Sequence, residues 1–311
     1  MFRTINPNEI KQSEVQKWLT GGVAPRPIAF VSTISKDGIK NLSPFSFFGA
    51  FGSNPPVVAF SPSRRGRDNT LKDTYNNLIE TGECVIHSVT MDIVQQMNLA
   101  SSEFPPEVDE FFMAGFTPVE SQIVKPFRVK ESPFAMECKL LQMVELGGKH
   151  GSGNLAICEV LLFHVDESII TEDKIDPFKI RHTARNGGNW YTIADKNSMY
   201  ELPKPSHDNA IGYNGLPEYI RNSRILSAND IAVLAHTDRL PRMEEIEDYC
   251  NRMVDTDEMN IQQAEFRETV KSNRQINLED CERIIKSAID SNDIDFALKV
   301  VVYGEFNLIA D

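Results

Sequence analysis

A mainly β fold with helices (α+β class), carrying a helical tail, is what the pattern of this chain predicts. Three observations carry that reading. Runs rich in β-branched and aromatic residues recur from Pro27 to Val165. The helices between them are too irregularly spaced for alternating βαβ units, which points to a barrel. After about Asp195 the texture changes to capped, striped helices in acidic sequence. The domains are therefore expected at residues 1–200 and 201–311.

Each element has its own signal. A helix is expected over Asn8–Leu19, with Val15, Trp18 and Leu19 on one face and Gly21-Gly22 ending it. Strands follow over Pro27–Ile34, Ile39–Phe51 and Pro56–Ser61, the first two joined by an Asp-Gly hairpin turn at Ser35–Gly38. Pro44 inside the second run donates nothing to a ladder, so it requires a bulge or a sheet edge. Leu71, Tyr75, Leu78 and Ile79 fall on one helical face, and Thr70 with Asp73 reads as a capping box. Glu83–Val89 reads as a strand, and Thr90 as the cap of a helix carrying Ile93, Met97 and Ala100.

Residues 101–130 read as a loop-rich excursion with one short helix at Val108–Met113. Two long strands, Phe134–Leu146 and Leu155–Val165, are joined by the glycine-rich GGKHGSGN. In the last third, Ser227 with Asp230 and Asn277 with Asp280 mark helix starts. Met243, Ile246, Cys250 and Met253 form one apolar stripe, and Leu278, Cys281, Ile285 and Ala288 another. The terminal VVYGEFNLIAD is read as a strand or an extended tail.

Composition narrows the function classes. The chain has 311 residues, ordinary apolar and charged fractions of 41% and 25%, and a net charge of −13. Counterion release needs a basic surface, so nucleic acid is not the expected partner. The acids are concentrated: 15 acidic and 7 basic residues lie between Pro241 and Phe296. No secretory leader and no long apolar span are visible, so a cytoplasmic protein without membrane spans is expected. The five cysteines are scattered, and those in strand-like runs read as buried free thiols of a reducing compartment. Cys84 and His87 have a metal-like separation, but one pair falls short of four ligands, so no metal is expected.

Two constellations in residues 24–74 point to chemistry. In SRRGRDNTLKDT, Arg64, Arg65 and Arg67 precede a helix start, with Lys72 and Thr74 beside it. Exposed N–H groups, helix dipole and arginines together suit a phosphate. The bland alternative is a solvated basic turn whose Asn69 or Thr70 only caps the helix. On the neighbouring strands, Ser32, Thr33, Asn41, Ser43 and Ser46 offer short hydrogen-bonding groups, with Phe45, Phe47 and Phe48 among them. That mixture suits a planar heteroaromatic ligand with one polar and one apolar edge, but it also describes a half-solvated barrel wall. The turn with Lys149 and His150 is not a P-loop, because no Ser or Thr follows the lysine.

The stretches PRPIAFVST, NLSPFSFF, NPPVVAFS and the Lys72-Asp73-Thr74 triplet occur in the order and spacing of the flavin reductase-like domains. Over roughly residues 10 to 200 the chain resembles that family, the FMN-binding split barrels. The resemblance implies a split β-barrel homodimer binding FMN rather than FAD, with NAD(P)H as a transient co-substrate and flavin oxidoreductase activity. It implies that Ser32, Thr33, Asn41, Ser43, Ser46 and Phe47 line the flavin, and that Ser61, Arg64, Lys72 and Thr74 lie near its phosphate. On its own His150 reads as a surface histidine of a glycine-rich turn; the resemblance implies it as a catalytic group near the flavin or nicotinamide face, although Cys158 stands where the family's following strand usually has glycine. In RHTARNGGNWY, Arg185 and Tyr191 are implied as flavin contacts, with a barrel-sealing pair as the alternative. A flavin carrier or electron-transfer protein, with the acidic tail docking a redox partner protein, is the other class of function. A flavoenzyme acting on a small organic molecule is a third. No G-x-G-x-x-G follows a strand, so no Rossmann nucleotide site is expected.

Overall fold

The computed structural model describes residues 1–202, 210–252 and 261–309. The chain divides into two compact units, Met1–Tyr200 and Glu201–Asp311. Helix α1 (Gln12–Gly22) opens the first unit. It is followed by strands β1 (Ala29–Ile34), β2 (Lys40–Phe45), β3 (Phe48–Ser53) and β4 (Pro56–Phe60). Next come α2 (Asp73–Thr81), β5 (Glu83–His87), α3 (Val94–Ala100) and α4 (Glu110–Ala114). A small ladder, β6 (Pro118–Val119) with β7 (Arg128–Val129), precedes the long pair β8 (Phe134–Glu145) and β9 (Asn154–Val165). The unit ends with β10 (Ile170–Thr171), β11 (Lys174–Ile175), α5 (Pro177–Ile180), β12 (Thr183–Arg185) and β13 (Tyr191–Ile193).

Seven strands form one antiparallel sheet in the order β2-β1-β5-β8-β9-β4-β3. Its two edges are consecutive in sequence, joined only by Ser46 and Phe47. Two residues span a few ångströms, so the sheet must curl until its edges meet at that link. No ladder pairs β2 with β3, and this is the split in the barrel.

The single long run expected over Ile39–Phe51 is thus two strands. Pro44 sits opposite Phe30 on the edge strand β2, where its missing N–H costs no ladder bond. The irregularity falls in β3 instead, where the register shifts between Ala50 and Gly52.

Alternation along β1 builds two cores. Ala29 and Val31 face the barrel interior with Phe60, Ile86 and Cys138. Ile28 and Phe30 face outward against Met97 of α3 and Phe111 of α4. From α2, Leu78 enters the interior core. The 120s loop is tied down by Glu137, whose buried carboxylate accepts from the N–H groups of Gln122, Ile123 and Val124 and from His164. Burial opposes its ionisation, but those donors outweigh burial and carry its pKa below the ordinary value.

Two expected caps differ. Lys72 is the N-cap residue of α2 and makes no side-chain cap bond, because the Thr70 hydroxyl is bonded to Asp68 instead. Helix α3 starts after Ile93 rather than at Thr90, which bridges to His182. The apolar face expected on α1 is uncovered, with Trp18 and Leu19 exposed.

The second unit is helical: α6 (Glu218–Arg221), α7 (Ala228–Ala235), α8 (Met243–Arg252), α9 (Ile261–Lys271), α10 (Leu278–Asp290) and α11 (Ile294–Asn307). The expected starts at Ser227 and Asn277 form as side-chain caps. The segment read as a strand or tail is α11 instead, buried on every side from Phe296 to Gly304, the pattern of a helix at the centre of a bundle. Phe266 packs edge-on against Phe296 and Tyr303, each 5.4 Å away. Gly304 is required there, since a Cβ would meet Tyr219 Oη at 2.5 Å and Cys281 Sγ at 2.7 Å. Ile246 and Cys250 are buried as the first stripe predicts, while Met253 lies outside the described residues. Leu278 is exposed and Cys281, Ile285 and Ala288 are buried. All five cysteines are buried free thiols. Among the described residues no helix is long and apolar enough to cross a membrane.

Candidate functional site

The basic turn between β4 and α2 is held from behind by the glycine-rich β8–β9 turn. Arg64 N–H donates to Ser152 O (2.9 Å), and Asn69 Nδ2 donates to Gly148 O (3.0 Å). Asn69 has a left-handed φ of 64°, a conformation asparagine tolerates better than most residues. These braces leave the cations facing a hollow of about 310 Å³ lined by Ser46, Phe47, Ser61, Arg64 and Lys72 among others.

The partners of those cations differ. Arg65 is satisfied by Leu71 O, Thr70 Oγ1 and Asp73. Arg67 is mostly exposed and paired with Asp68 and Glu103. Arg64 reaches Asn69 O and Glu145, yet its buried Nε has no partner. The Lys72 ammonium makes no hydrogen bond or ion pair among the described residues. Burial, and next Arg65, hold its pKa below the usual lysine value. Glu103 and Asp73 attract the ammonium without forming an ion pair with it, and a half-buried cation so placed gains from receiving an anion. The Ser61 and Ser63 hydroxyls, 3.0 Å apart, add donors at the same hollow.

Behind β2 lies a closed polar network. Asn41 Oδ1 accepts from Thr33 Oγ1 (3.2 Å) and Thr74 Oγ1 (2.8 Å). Asn77 Nδ2 donates to Thr33 (3.0 Å), and Asn41 Nδ2 donates to Glu110 Oε1 (3.0 Å). The other Glu110 oxygen accepts from the Leu42 N–H at 3.0 Å. Burial pushes the Glu110 carboxyl up to about 7, against the lowering effect of those donors.

A second hollow, of about 420 Å³, shares Pro44 and Ser46 with the first and continues the groove along β2. Arg26, Arg185, Lys17 and Tyr191 line it. The buried Arg26 guanidinium is pinned by main-chain carbonyls: Nη1 donates to Thr20 O (2.5 Å) and Val23 O (2.6 Å), and Nη2 to Asn186 O (3.1 Å). Its Nε is buried without a partner. Burial, and next the neighbouring Arg185, lower its pKa. Arg185 lies over the Tyr191 ring at 4.6 Å, bonds its hydroxyl, and donates to Gly188 O at 2.7 Å. Gly187 allows this turn to pack on α1, since a Cβ there would stand 3.1 Å from Gly21 Cα.

The residues singled out in the sequence therefore fall into groups. Ser46, Phe47, Ser61, Arg64 and Lys72 converge on the first hollow. Thr33, Asn41 and Thr74 are buried and bonded to one another, and Ser32 is spent on Phe127 O at 2.5 Å. Ser43 lines a small recess beside Lys72 and Glu110. Arg185 and Tyr191 stand at the second hollow. His150 is exposed, its Nδ1 3.2 Å from Gly66 O at the basic turn, and it lines neither hollow. Sequence reasoning missed Arg26, Lys17 and Glu110. An arginine between two prolines at a strand start was the available signal for the first.

A split barrel carries a groove along its edge strand, with cations at both ends and hydroxyls and aromatic surface between them, and its family and neighbours define the class as flavin-binding oxidoreductases. The comparisons make this specific: the chain belongs to the flavin reductase like domain family, whose model matches residues 21–176. A protein of Aquifex aeolicus is 44% identical over 179 residues, 57% of this chain and 89% of that one. Component B of nitrilotriacetate monooxygenase from Bacillus cereus is 34% identical with a TM-score of 0.61, covering 65% of this chain and 99% of its own. The 2-nitrobenzoate 2-nitroreductase of Pseudomonas fluorescens is 25% identical with a TM-score of 0.58, covering 66% of this chain and 100% of its own. The family match lies wholly inside the first unit.

Proposed function

We propose that this chain binds FMN along β2 and transfers electrons from NAD(P)H to the flavin as an NAD(P)H-dependent flavin oxidoreductase. The observation that carries the reading is the pair of unsatisfied cationic groups at the basic turn, Lys72 and the Arg64 Nε. A phosphate dianion supplies what both lack, and riboflavin would not. Bound FMN supplies the redox chemistry. The chain's own residues supply placement: Arg64, Lys72 and Ser61 anchor the phosphate, while Ser46 and the Phe47 face border the path of the ring along β2. The closed Thr33–Asn41–Thr74 network keeps that strand in register with α2.

The protein is read as a homodimer. An apolar hollow of about 600 Å³ is lined by Phe48, Val57, Met136 and Phe163 among others. Phe51, Phe163 and Trp190 are exposed, and β3 is an unpaired edge, features that a second copy would cover. The resemblance to a monooxygenase component B supports a second reading, in which the reduced flavin or its electrons pass to a separate partner protein. The test is anaerobic mixing of the FMN-loaded protein with NADH or NADPH while flavin absorbance is followed. Bleaching supports the proposed activity. Absence of FMN uptake and of any FMN-dependent thermal stabilisation defeats it, and uptake without bleaching leaves the carrier reading.

A further inference from the structure

FMN carries one phosphate, but the groove along β2 has two cationic ends. The first already accounts for that phosphate. At the second, Lys17, Arg26 and Arg185 converge on one hollow, and no aspartate or glutamate among the described residues lines it. Neither arginine has a carboxylate partner among the described residues: Arg26 is held by main-chain carbonyls, and Arg185 by Gly188 O and the Tyr191 hydroxyl. Arg26 is 5% exposed and keeps a buried Nε with no acceptor. Holding two guanidinium groups together in a recess without a counter-charge costs stability, and a bound oxyanion offsets that cost. The planar fork of arginine favours carboxylate and phosphate alike.

Size and walls choose between them. The hollow of about 420 Å³ is at the small end for ligand sites, room for a one-ring molecule and not for a dinucleotide. Ile28, Met97 and the Tyr191 ring give it an apolar and aromatic wall, while Asn98 and Asn186 add neutral polar groups.

We propose that the Lys17–Arg26–Arg185 hollow is a subsite for the carboxylate of a small, flat organic acid that binds beside the flavin. The assignment rests on the flavin reading above for its purpose, but not for its detection. It narrows the substrate class of the enzyme to organic acids and makes Arg185 a specificity residue for the second substrate.

Benzoate is the probe and benzamide its uncharged control, each titrated calorimetrically into the full chain with and without FMN. Benzoate is expected to bind at least about tenfold tighter than benzamide, as a charge-assisted pair predicts. Arg185→Gln should weaken benzoate roughly 10- to 100-fold and weaken FMN far less than Lys72→Gln does. Arg26→Gln risks the fold because it releases three carbonyls, so Lys17→Gln is the second variant, with a weaker loss of benzoate. Equal binding of benzoate and benzamide, or no binding of either, overturns the proposal. So does an Arg185→Gln protein that loses FMN as severely as Lys72→Gln, because the second cluster would then serve the flavin itself. Arg185-dependent binding of NADPH without binding of benzoate assigns the anion to the nucleotide and also overturns it. Failure of FMN uptake alone defeats the flavin reading and leaves the titrations on the flavin-free chain as the judge of the subsite.

Discussion

The two faces of β2 use the same kinds of side chain to opposite ends. Behind the strand, Thr33, Asn41, Thr74, Asn77 and Glu110 spend their hydrogen bonds on one another. Along its open edge, the Lys72 ammonium makes no hydrogen bond or ion pair among the described residues, and Arg64 and Arg26 each keep a buried nitrogen unpaired. A satisfied buried group fixes shape, and an unsatisfied one is an unfilled interaction that a ligand completes. The contrast separates residues that hold the groove from residues that receive a ligand, and both kinds carry the polar composition that marks the region in sequence.

The largest expected effect tests the receiving side. Replacing Arg64 and Lys72 together by alanine should cost about 2–4 kcal/mol in FMN affinity and leave riboflavin nearly unchanged, read by fluorescence titration of both flavins. Equal losses would move the turn to the shape-holding group.

The holding side predicts a loss of stability instead. Asn41→Ala leaves the hydroxyls of Thr33 and Thr74 and one Glu110 oxygen without their buried partner, for about 1–3 kcal/mol in denaturant unfolding. FMN affinity should fall much less than in the Arg64/Lys72 variant. An Asn41→Ala protein of normal stability with lost FMN binding would put Asn41 back in direct contact with the ligand.

Glu110 adds a pH signature to the same network. Its folded pKa of about 7 lies above the ordinary carboxylate value, so the native state binds the extra proton between them. Stability from this group is therefore full below pH about 4.5 and is lost as pH rises through about 7, a slope of opposite sign to that of an ion-paired carboxylate. The span is on the order of 2 kcal/mol, discounted for partial solvent screening. Glu110→Gln should flatten the slope between pH 5 and 7 in the flavin-free protein, and an unchanged slope would show that other groups carry it.

Much of this was legible before the fold was known, and the limits have physical causes. The Asp-Gly turn, the basic turn and the capped helices at Ser227 and Asn277 depend on neighbours in sequence, and they form as read. The break at Ser46–Phe47 was hidden because apolar residues continue across it, and only pairing with β1 on one side and β4 on the other reveals two strands. The terminal α11 was misread because burial on all sides erases the helical period, leaving Val300–Val302 to look like a strand. Composition picked out the hydroxyls and cations of this region as a group. Which of them are already bonded to each other is a three-dimensional fact: Asn41 reaches Glu110 across 69 residues, and Arg26 reaches Asn186 across 160.

The smallest expected effect concerns His150. The family resemblance makes it a catalytic group, whereas its exposed ring leans on the Gly66 carbonyl of the basic turn and stands apart from the Arg26–Arg185 end of the groove. A surface hydrogen bond of this kind is worth about 0.5–1.5 kcal/mol at most. His150→Ala should therefore loosen the turn slightly, lowering FMN affinity by less than about tenfold, and leave the reduction rate at saturating FMN and NADPH unchanged. Stopped-flow reduction beside an FMN titration separates the two roles. A rate that falls by more than about tenfold with FMN affinity intact requires a transition-state interaction lost with the ring. Because the exposed imidazole has no such partner among the described residues, that result would place the reacting face against a second subunit, where another copy's groove brings His150 to the chemistry.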